Sequence, residues 1–271
     1  MNLKKLLPKR TKESSKIDGG KVLIVGGGKG LYGAGILSAL AATKCGAGYT
    51  HLITELASFP WVKFPDFIVH PLQISELKKK EDFVIGIGPG LGVNAFTHKL
   101  IAHLIQKKFE KVVVDADALS DLAKNNLVNI PATWILTPHE GELARLLKVT
   151  SASVKKDRAK YLQTAFEKFQ CTIILKGSET LIISPESKKI LKVKAQTTAL
   201  AKAGTGDVLL GMITAFRAQG LSPLEACFLG CTLHGKAAHE FVKKGNDHLS
   251  MRPVDLIDLL PKTIYKARGT K

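Results

Sequence analysis

Acid is the scarce ingredient of this chain: 23 Asp and Glu stand against 40 Lys and Arg in 271 residues, a formal net charge of +17. An excess of that size suits nucleic acid, an anionic membrane surface or an acidic small molecule. The lysines are scattered, as Lys78-Lys79-Lys80, Lys107-Lys108, Lys155-Lys156, Lys188-Lys189 and Lys243-Lys244, which reads as solvated faces and not as one binding block. Aromatic residues make up only 6%. With no stacking platform and no recognition-helix pattern, nucleic acid is not the expected partner. Cysteine is also sparse: Cys45, Cys171, Cys227 and Cys231 form no CxxC pair and follow no secretory segment, so free thiols in a reducing cytoplasm are expected. Cys227 and Cys231 share an apolar helical stretch with His234, a set that could hold a metal but reads as core packing. The N-terminus is basic and lacks an apolar run of about seven or more residues, so neither a signal peptide nor a membrane span is expected there. No Gly-x-x-x-x-Gly-Lys-Ser/Thr occurs, and the glycines at 26, 27, 28, 30, 33 and 35 do not make a clean G-x-G-x-x-G. There is no fixed internal period and no low-complexity tract.

What is present is enough apolar material, 45% of residues, to bury one large core. The expectation is one domain over 1–271 with a short basic lead-in at 1–15. Short β-branched runs followed by Gly-rich turns and helical patterns recur, the sequence form of β-loop-α units around a mostly parallel sheet. Val22-Leu23-Ile24-Val25 runs into Gly26-Gly27-Gly28 and a small-residue helix over 33–45. Phe83-Val84-Ile85-Gly86-Ile87 leads to Gly88-Pro89-Gly90-Leu91-Gly92, and Lys111-Val112-Val113-Val114 leads to Asp115-Ala116-Asp117. Trp134-Ile135-Leu136 ends at Thr137-Pro138-His139-Glu140-Gly141-Glu142, where a helix should begin with acids in its first turn. Cys171-Thr172-Ile173-Ile174-Leu175 and Leu181-Ile182-Ile183 flank Lys176-Gly177-Ser178-Glu179-Thr180 as a strand-turn-strand, and helices follow over 208–218, over 223–243 and from Pro253.

In open α/β sheets ligands gather at the carboxyl ends of strands, and every unusual turn here follows such an end. The sharpest of them is Ala203-Gly204-Thr205-Gly206-Asp207. Glycines that turn tightly into a helix start, with its unpaired N–H groups, make an anion site. An acid inside that site suits a base aimed at a hydroxyl that faces a phosphate. Lys176 with the hydroxyls of Ser178 and Thr180 suits nucleotide phosphates, with a solvated hairpin turn as the plain alternative. Asp115 and Asp117 alternate at a strand end, so one of them faces the site and the other caps a helix or accepts a structural hydrogen bond. His139 with Glu140 and Glu142 lacks zinc spacing; one carboxylate supports Mg²⁺ through water while His139 reaches a ligand, or the acids simply begin a helix.

Taken in order, these blocks resemble the NAD(P)H-hydrate dehydratases, a branch of the ribokinase-like superfamily, over most of the chain from Lys16 to Leu260. Gly-Thr-Gly-Asp alone marks the wider superfamily of small-molecule kinases, and Thr-Pro-His-x-Gly-Glu together with Gly-Pro-Gly-Leu-Gly points to the dehydratases. The resemblance implies a three-layer α/β/α fold and a cytoplasmic enzyme of nicotinamide cofactor repair, which dehydrates (6S)-NADHX and NADPHX at the expense of ADP or ATP. The ring hydroxyl at C6 would be phosphorylated and the phosphate then eliminated, driven by the ring nitrogen lone pair. Residue by residue it implies Asp207 as the base, Ala34, Gly90, His139 and Asp207 as contacts of the hydrated cofactor, and Lys176, Gly177, Ser178, Glu179, Thr180, Gly204, Thr205 and Gly206 as contacts of the nucleotide. Glu142 takes the place of a Mg²⁺-supporting acid.

Two departures stand out. The family's Asn-x-x-Gly-Asn-x-Gly segment is replaced by Lys194-Ala195-Gln196-Thr197-Thr198-Ala199-Leu200, and the first glycine of Gly-Gly-Thr-Gly-Asp is Ala203. With few residues ahead of Lys16, the epimerase domain often fused before such dehydratases is expected to be a separate chain or absent. Apolar helices after Pro223 leave room for a homo-oligomer such as a tetramer. Two rivals keep the fold: a thiazole or hydroxymethylpyrimidine kinase, and a basic binding protein with weakened catalysis.

Overall fold

A computed structural model describes residues 1–55, 66–195 and 197–269; Gln196 of the atypical segment lies outside them. Among the described residues, nine strands form one sheet. They are β1 (Lys21–Val25), β2 (Tyr49–Thr54), β3 (Ile68–Pro71), β4 (Val84–Ile87), β5 (Val112–Val114), β6 (Ile135–Leu136), β7 (Thr172–Leu175), β8 (Glu179–Ile183) and β9 (Leu191–Lys194). The order is β3-β2-β1-β4-β5-β6-β7-β8-β9. Pairing is parallel from β3 to β7 and antiparallel for β8 and β9.

Because strand side chains alternate, each apolar run feeds two cores. Val22, Ile24, Val113, Ile135 and Ile174 face one core, and Leu23, Val25, Val112, Val114, Leu136, Ile173 and Leu175 face the other. The first core is covered by α2 (Tyr32–Lys44), α8 (Thr205–Ala218), α9 (Pro223–Lys243) and α10 (Pro253–Ala267), with the short α1 (Leu3–Leu6) at its margin. The second is covered by α3 (Ala95–Gln106), α4 (Ala116–Lys124), α5 (Glu140–Leu147), α6 (Ser151–Lys156) and α7 (Arg158–Phe169). The result is the expected three-layer α/β/α arrangement.

Local signals start these helices as the sequence suggests. Ser222 and Glu225 form a reciprocal cap on α9 with Pro223 in its first turn, and His139 with Glu142 does the same for α5. α8 begins at Thr205, earlier than the apolar pattern from Val208 implies, so Gly206 and Asp207 lie within its first turn. The helices α2 and α8 cross in close contact: a Cβ on Gly211 would stand 2.0 Å from the Ser38 carbonyl oxygen. α9 buries Leu224, Cys227, Leu229, Cys231 and Leu233 within the chain's own core. No described helix is long and apolar enough to cross a membrane.

Candidate active site

The strand order reverses direction between β1 and β4, the place where open sheets of this kind form their ligand crevice. The two glycine turns that follow those strands clasp each other through backbone. Gly27 N–H donates to the Pro89 carbonyl at 2.8 Å and Gly28 N–H to the Gly90 carbonyl at 2.6 Å. The clasp leaves no room for side chains: a Cβ on Gly26 would lie 2.6 Å from the Pro89 oxygen. Gly90 (φ 67°) abuts Leu31 and Ala34, so Ala34 and Gly90 form one wall. Gly88, at φ 129°, would drive a Cβ to 1.8 Å from the Asp115 carbonyl oxygen. Gly92 N–H donates to Asp117 Oδ2 at 2.8 Å, so Asp117 braces this turn while Asp115 faces the site.

Opposite that wall stands the first turn of α8. Gly204 at φ 90° makes the turn into the helix, and a Cβ there would meet Pro253 Cγ at 2.7 Å. The Thr205 hydroxyl ties the turn to the carbonyls of Leu200 and Lys202, both at 2.8 Å. Among the described residues no acceptor meets the N–H groups of Gly206 and Asp207, which leaves them to an anion. The Ser38 hydroxyl donates to the Asp207 carbonyl at 2.9 Å and also lies 3.1 Å from the Ala34 carbonyl. Burial, and next to it the Asp115 carboxylate, push the Asp207 carboxyl from an ordinary 3.8 up to about 7 against the pull of Lys176, with Asp117 and Glu142 adding to the rise. A carboxyl so tuned exchanges a proton near neutrality, as a general base must.

Lys176 is the cation of the site. Its Nζ lies 2.5 Å from Asp115 Oδ1 and 3.7 Å from Glu142 Oε2. Burial works to lower the ammonium pKa, but Asp115, Glu142 and Asp207 outweigh it and raise it, so the charge is held. The anion turn faces this pair, since a Cβ on Gly206 would stand 3.6 Å from Lys176 Nζ. Between Asp115 and Asp117 the backbone of Ala116 sits at φ 50°, a left-handed conformation that costs a Cβ-bearing residue about 1 kcal/mol.

His139 caps α5. Its N–H donates to Glu142 Oε2 at 2.8 Å, its Nδ1 accepts Gly141 N–H at 2.9 Å, and its ring is 52% exposed, open to a ligand. Glu142 is buried and already engaged by that N–H.

A cavity of about 300 Å³ opens beside Lys176. Gly177, Ser178 and Thr180 line one side of it, and Thr205 and Gly206 another. Ala195, Thr197, Thr198 and Leu200 of the atypical segment also line it, so the departure from the family pattern falls on the cavity itself. Two expected nucleotide residues do not line it. The Glu179 carboxylate points out to Lys192 Nζ at 3.4 Å, because Glu179 already belongs to β8 and its neighbour Thr180 takes the inward face. Gly204 packs on Pro253 and Leu37 and shapes the turn.

Three contributors carried no local signal. Arg158 pins the turn at 176–178 by donating to the carbonyls of Glu179 at 2.5 Å, Lys176 at 3.1 Å and Leu175 at 3.2 Å, and pairs with Glu140 at 3.0 Å. Ser38 sits inside α2. His234, grouped with Cys227 and Cys231 in the sequence, lines the cavity with Cys231 and Leu209. All four cysteines are buried and free, and no three His, Cys, Asp or Glu among the described residues converge on a metal position.

A glycine wall at the switch point, an acid in an anion-binding helix turn and a lysine-flanked cavity on this sheet define the ribokinase-like class, and the fold is that of the class. A family model described as NAD(P)H-hydrate dehydratase matches residues 22–262, and the chain belongs to that family. It is 34% identical to the bifunctional NAD(P)H-hydrate repair enzyme of Dictyoglomus turgidum, covering 90% of this chain and 50% of that protein. It is 36% identical to the ADP-dependent (S)-NAD(P)H-hydrate dehydratase of Neisseria meningitidis over 84% of this chain and 79% of that one. The Bacillus subtilis ADP/ATP-dependent NAD(P)H-hydrate dehydratase, co-crystallised with ATP/Mg²⁺, superposes with a TM-score of 0.86 at 28% identity, covering 98% of this chain and 96% of that one. The chain spans about half the length of the bifunctional relatives it matches.

Proposed function

We propose that this chain restores NADH and NADPH from (6S)-NADHX and NADPHX, with ADP or ATP as phosphoryl donor. The observation that carries this reading is the Asp207 carboxyl, raised to about 7 in the first turn of α8 and tied through Ser38 to the wall that bears Ala34. Asp207 takes the proton of the C6 hydroxyl as its oxygen attacks the terminal phosphorus, and the bond to the departing AMP or ADP breaks. The N–H groups of Gly206 and Asp207 carry charge on the transferred group. The ring nitrogen lone pair then expels phosphate from C6, and loss of a proton from C5 restores the double bond. Lys176, Gly177, Ser178 and Thr180 hold the nucleotide, and Ala34, Gly90 and His139 receive the hydrated ring.

Mg²⁺ fits the donor set in one way. With Glu142 and Asp115 already engaged by Lys176, the ion would be held largely by nucleotide phosphates and water, a mode Mg²⁺ favours, and would neutralise phosphate charge there. An epimerase is proposed as a partner activity in the same repair, in keeping with the name bifunctional carried by relatives about twice this length. Four free buried thiols support a reducing cytoplasm. A homo-oligomer belongs to the same proposal, and a light-scattering mass tests it.

The test is incubation of NADHX with ADP or ATP while the absorbance of the reduced ring is followed. Return of NADH with either nucleotide is expected. Failure with both, together with phosphorylation of a thiazole or hydroxymethylpyrimidine alcohol, would overturn the reading in favour of a vitamin-type kinase.

A further inference from the structure

His234 is 7% exposed, and its Nε2 lies 2.9 Å from the Thr205 carbonyl oxygen. A carbonyl only accepts, so Nε2 carries the hydrogen. Burial, with Lys176 adding to it, depresses the imidazole to about 4, so the ring is neutral and its Nδ1 is a bare acceptor. Among the described residues nothing donates to Nδ1, and His234 lines the cavity beside Lys176. Val193, Leu200, Leu209 and Cys231 give that cavity an apolar wall that suits a flat ring, beside the Lys176, Ser178, Thr180 and Gly206 that suit phosphates.

We propose that His234 Nδ1 accepts a hydrogen bond from the exocyclic amino group of the nucleotide base, making His234 the residue that selects a 6-amino purine over a 6-oxo purine. The inference rests on the nucleotide half of the function proposed above. A 6-oxo base would set its own acceptor against Nδ1. The ring cannot adapt by moving its proton, because the Thr205 carbonyl would then face a second lone pair.

Two substitutions separate the two ring nitrogens. His234→Gln reaches Thr205 with its amide and gives up the Nδ1 acceptor; His234→Asn keeps an acceptor near Nδ1 and gives up Thr205. Calorimetric titration of the full chain with ADP, IDP and 2′-deoxy-ADP is the experiment, with thermal melts confirming that each variant folds. The unaltered chain is expected to bind ADP about ten- to a hundred-fold more tightly than IDP. His234→Gln should bring the two within about three-fold, and His234→Asn should keep the preference. Retention of the full ADP preference in His234→Gln overturns the proposal. So does a loss with 2′-deoxy-ADP as large as that with IDP, which would put a ribose hydroxyl on Nδ1. Because binding is read without NADHX, failure of the dehydratase reading leaves this outcome separately visible.

Discussion

Replacing Asp207 by Asn should abolish turnover and yet stabilise the protein, and the stabilisation should depend on pH. The folded carboxyl titrates near 7, where an unfolded one titrates near 3.8. Between those values the folded chain holds a proton that the unfolded chain has released. Stability therefore declines as pH rises through that window, and the deficit is complete above about pH 7. Full linkage of a shift of about three units is worth about 4 kcal/mol, and partial solvent access trims this to about 2 kcal/mol. Asn keeps the volume and removes the charge. At pH 8 the variant should melt about 4 °C above the unaltered chain, taking about 2 °C per kcal/mol for a chain of this size, and at pH 4 the two should coincide. In the unaltered chain kcat/KM should fall tenfold per unit below pH 7, because only about 1% of the carboxyl is ionised at pH 5. Calorimetric melts across pH 4 to 8, alongside NADHX turnover, make the measurement. An equal melting shift at both ends of the range, or an Asn variant less stable at pH 8, would refute the argument that Asp207 is held charged against its surroundings.

Two further outcomes follow from the same cluster. Lys176→Met leaves the buried Asp115 carboxylate without its cation and should cost about 3 kcal/mol in urea unfolding, most of it regained when Asp115→Asn is added, while nucleotide affinity stays more than tenfold down in both. A double variant as unstable as the single one would show that the pair is not what Lys176 balances. Ala116→Gly relieves a residue held at φ 50° and should raise the melting temperature by about 1–2 °C; a fall would mean the conformation carries no strain.

Much of the site was legible because its requirements fall on the backbone, and backbone requirements write themselves as glycine. The turns at 26–28 and 88–92 and the Gly204 turn need bare Cα atoms or positive φ, and the sequence announces all three. The alternation of Asp115 and Asp117 likewise gave the division between one site-facing acid and one brace. Three strands went unannounced. β3 and β9 are short edge segments, and β2 carries His51, whose ring contacts His70 on β3 at 2.8 Å, a polar pair that hides the apolar alternation. Arg158, Ser38 and His234 lie within helices whose local patterns, polar, small and apolar in turn, carry no mark of a ligand, so their work is set by what the fold brings opposite them. Glu179 shows the converse: three residues after Lys176 in sequence, it turns outward because the strand has already begun.

The Ser38 hydroxyl spans the Ala34 and Asp207 carbonyls, and the carbonyl of the same residue rests where Gly211 alone leaves room for it. The wall that bears Ala34 and the helix turn that bears Asp207 therefore share one fixed pin. Sliding α2 past α8 would break the Ser38–Asp207 hydrogen bond and drive the Ser38 carbonyl off Gly211, so on the proposed reading a bulkier alcohol meets a gap that does not widen. Enlarging what this site accepts would begin at Ser38, whose hydroxyl is spent on the Ala34 and Asp207 carbonyls.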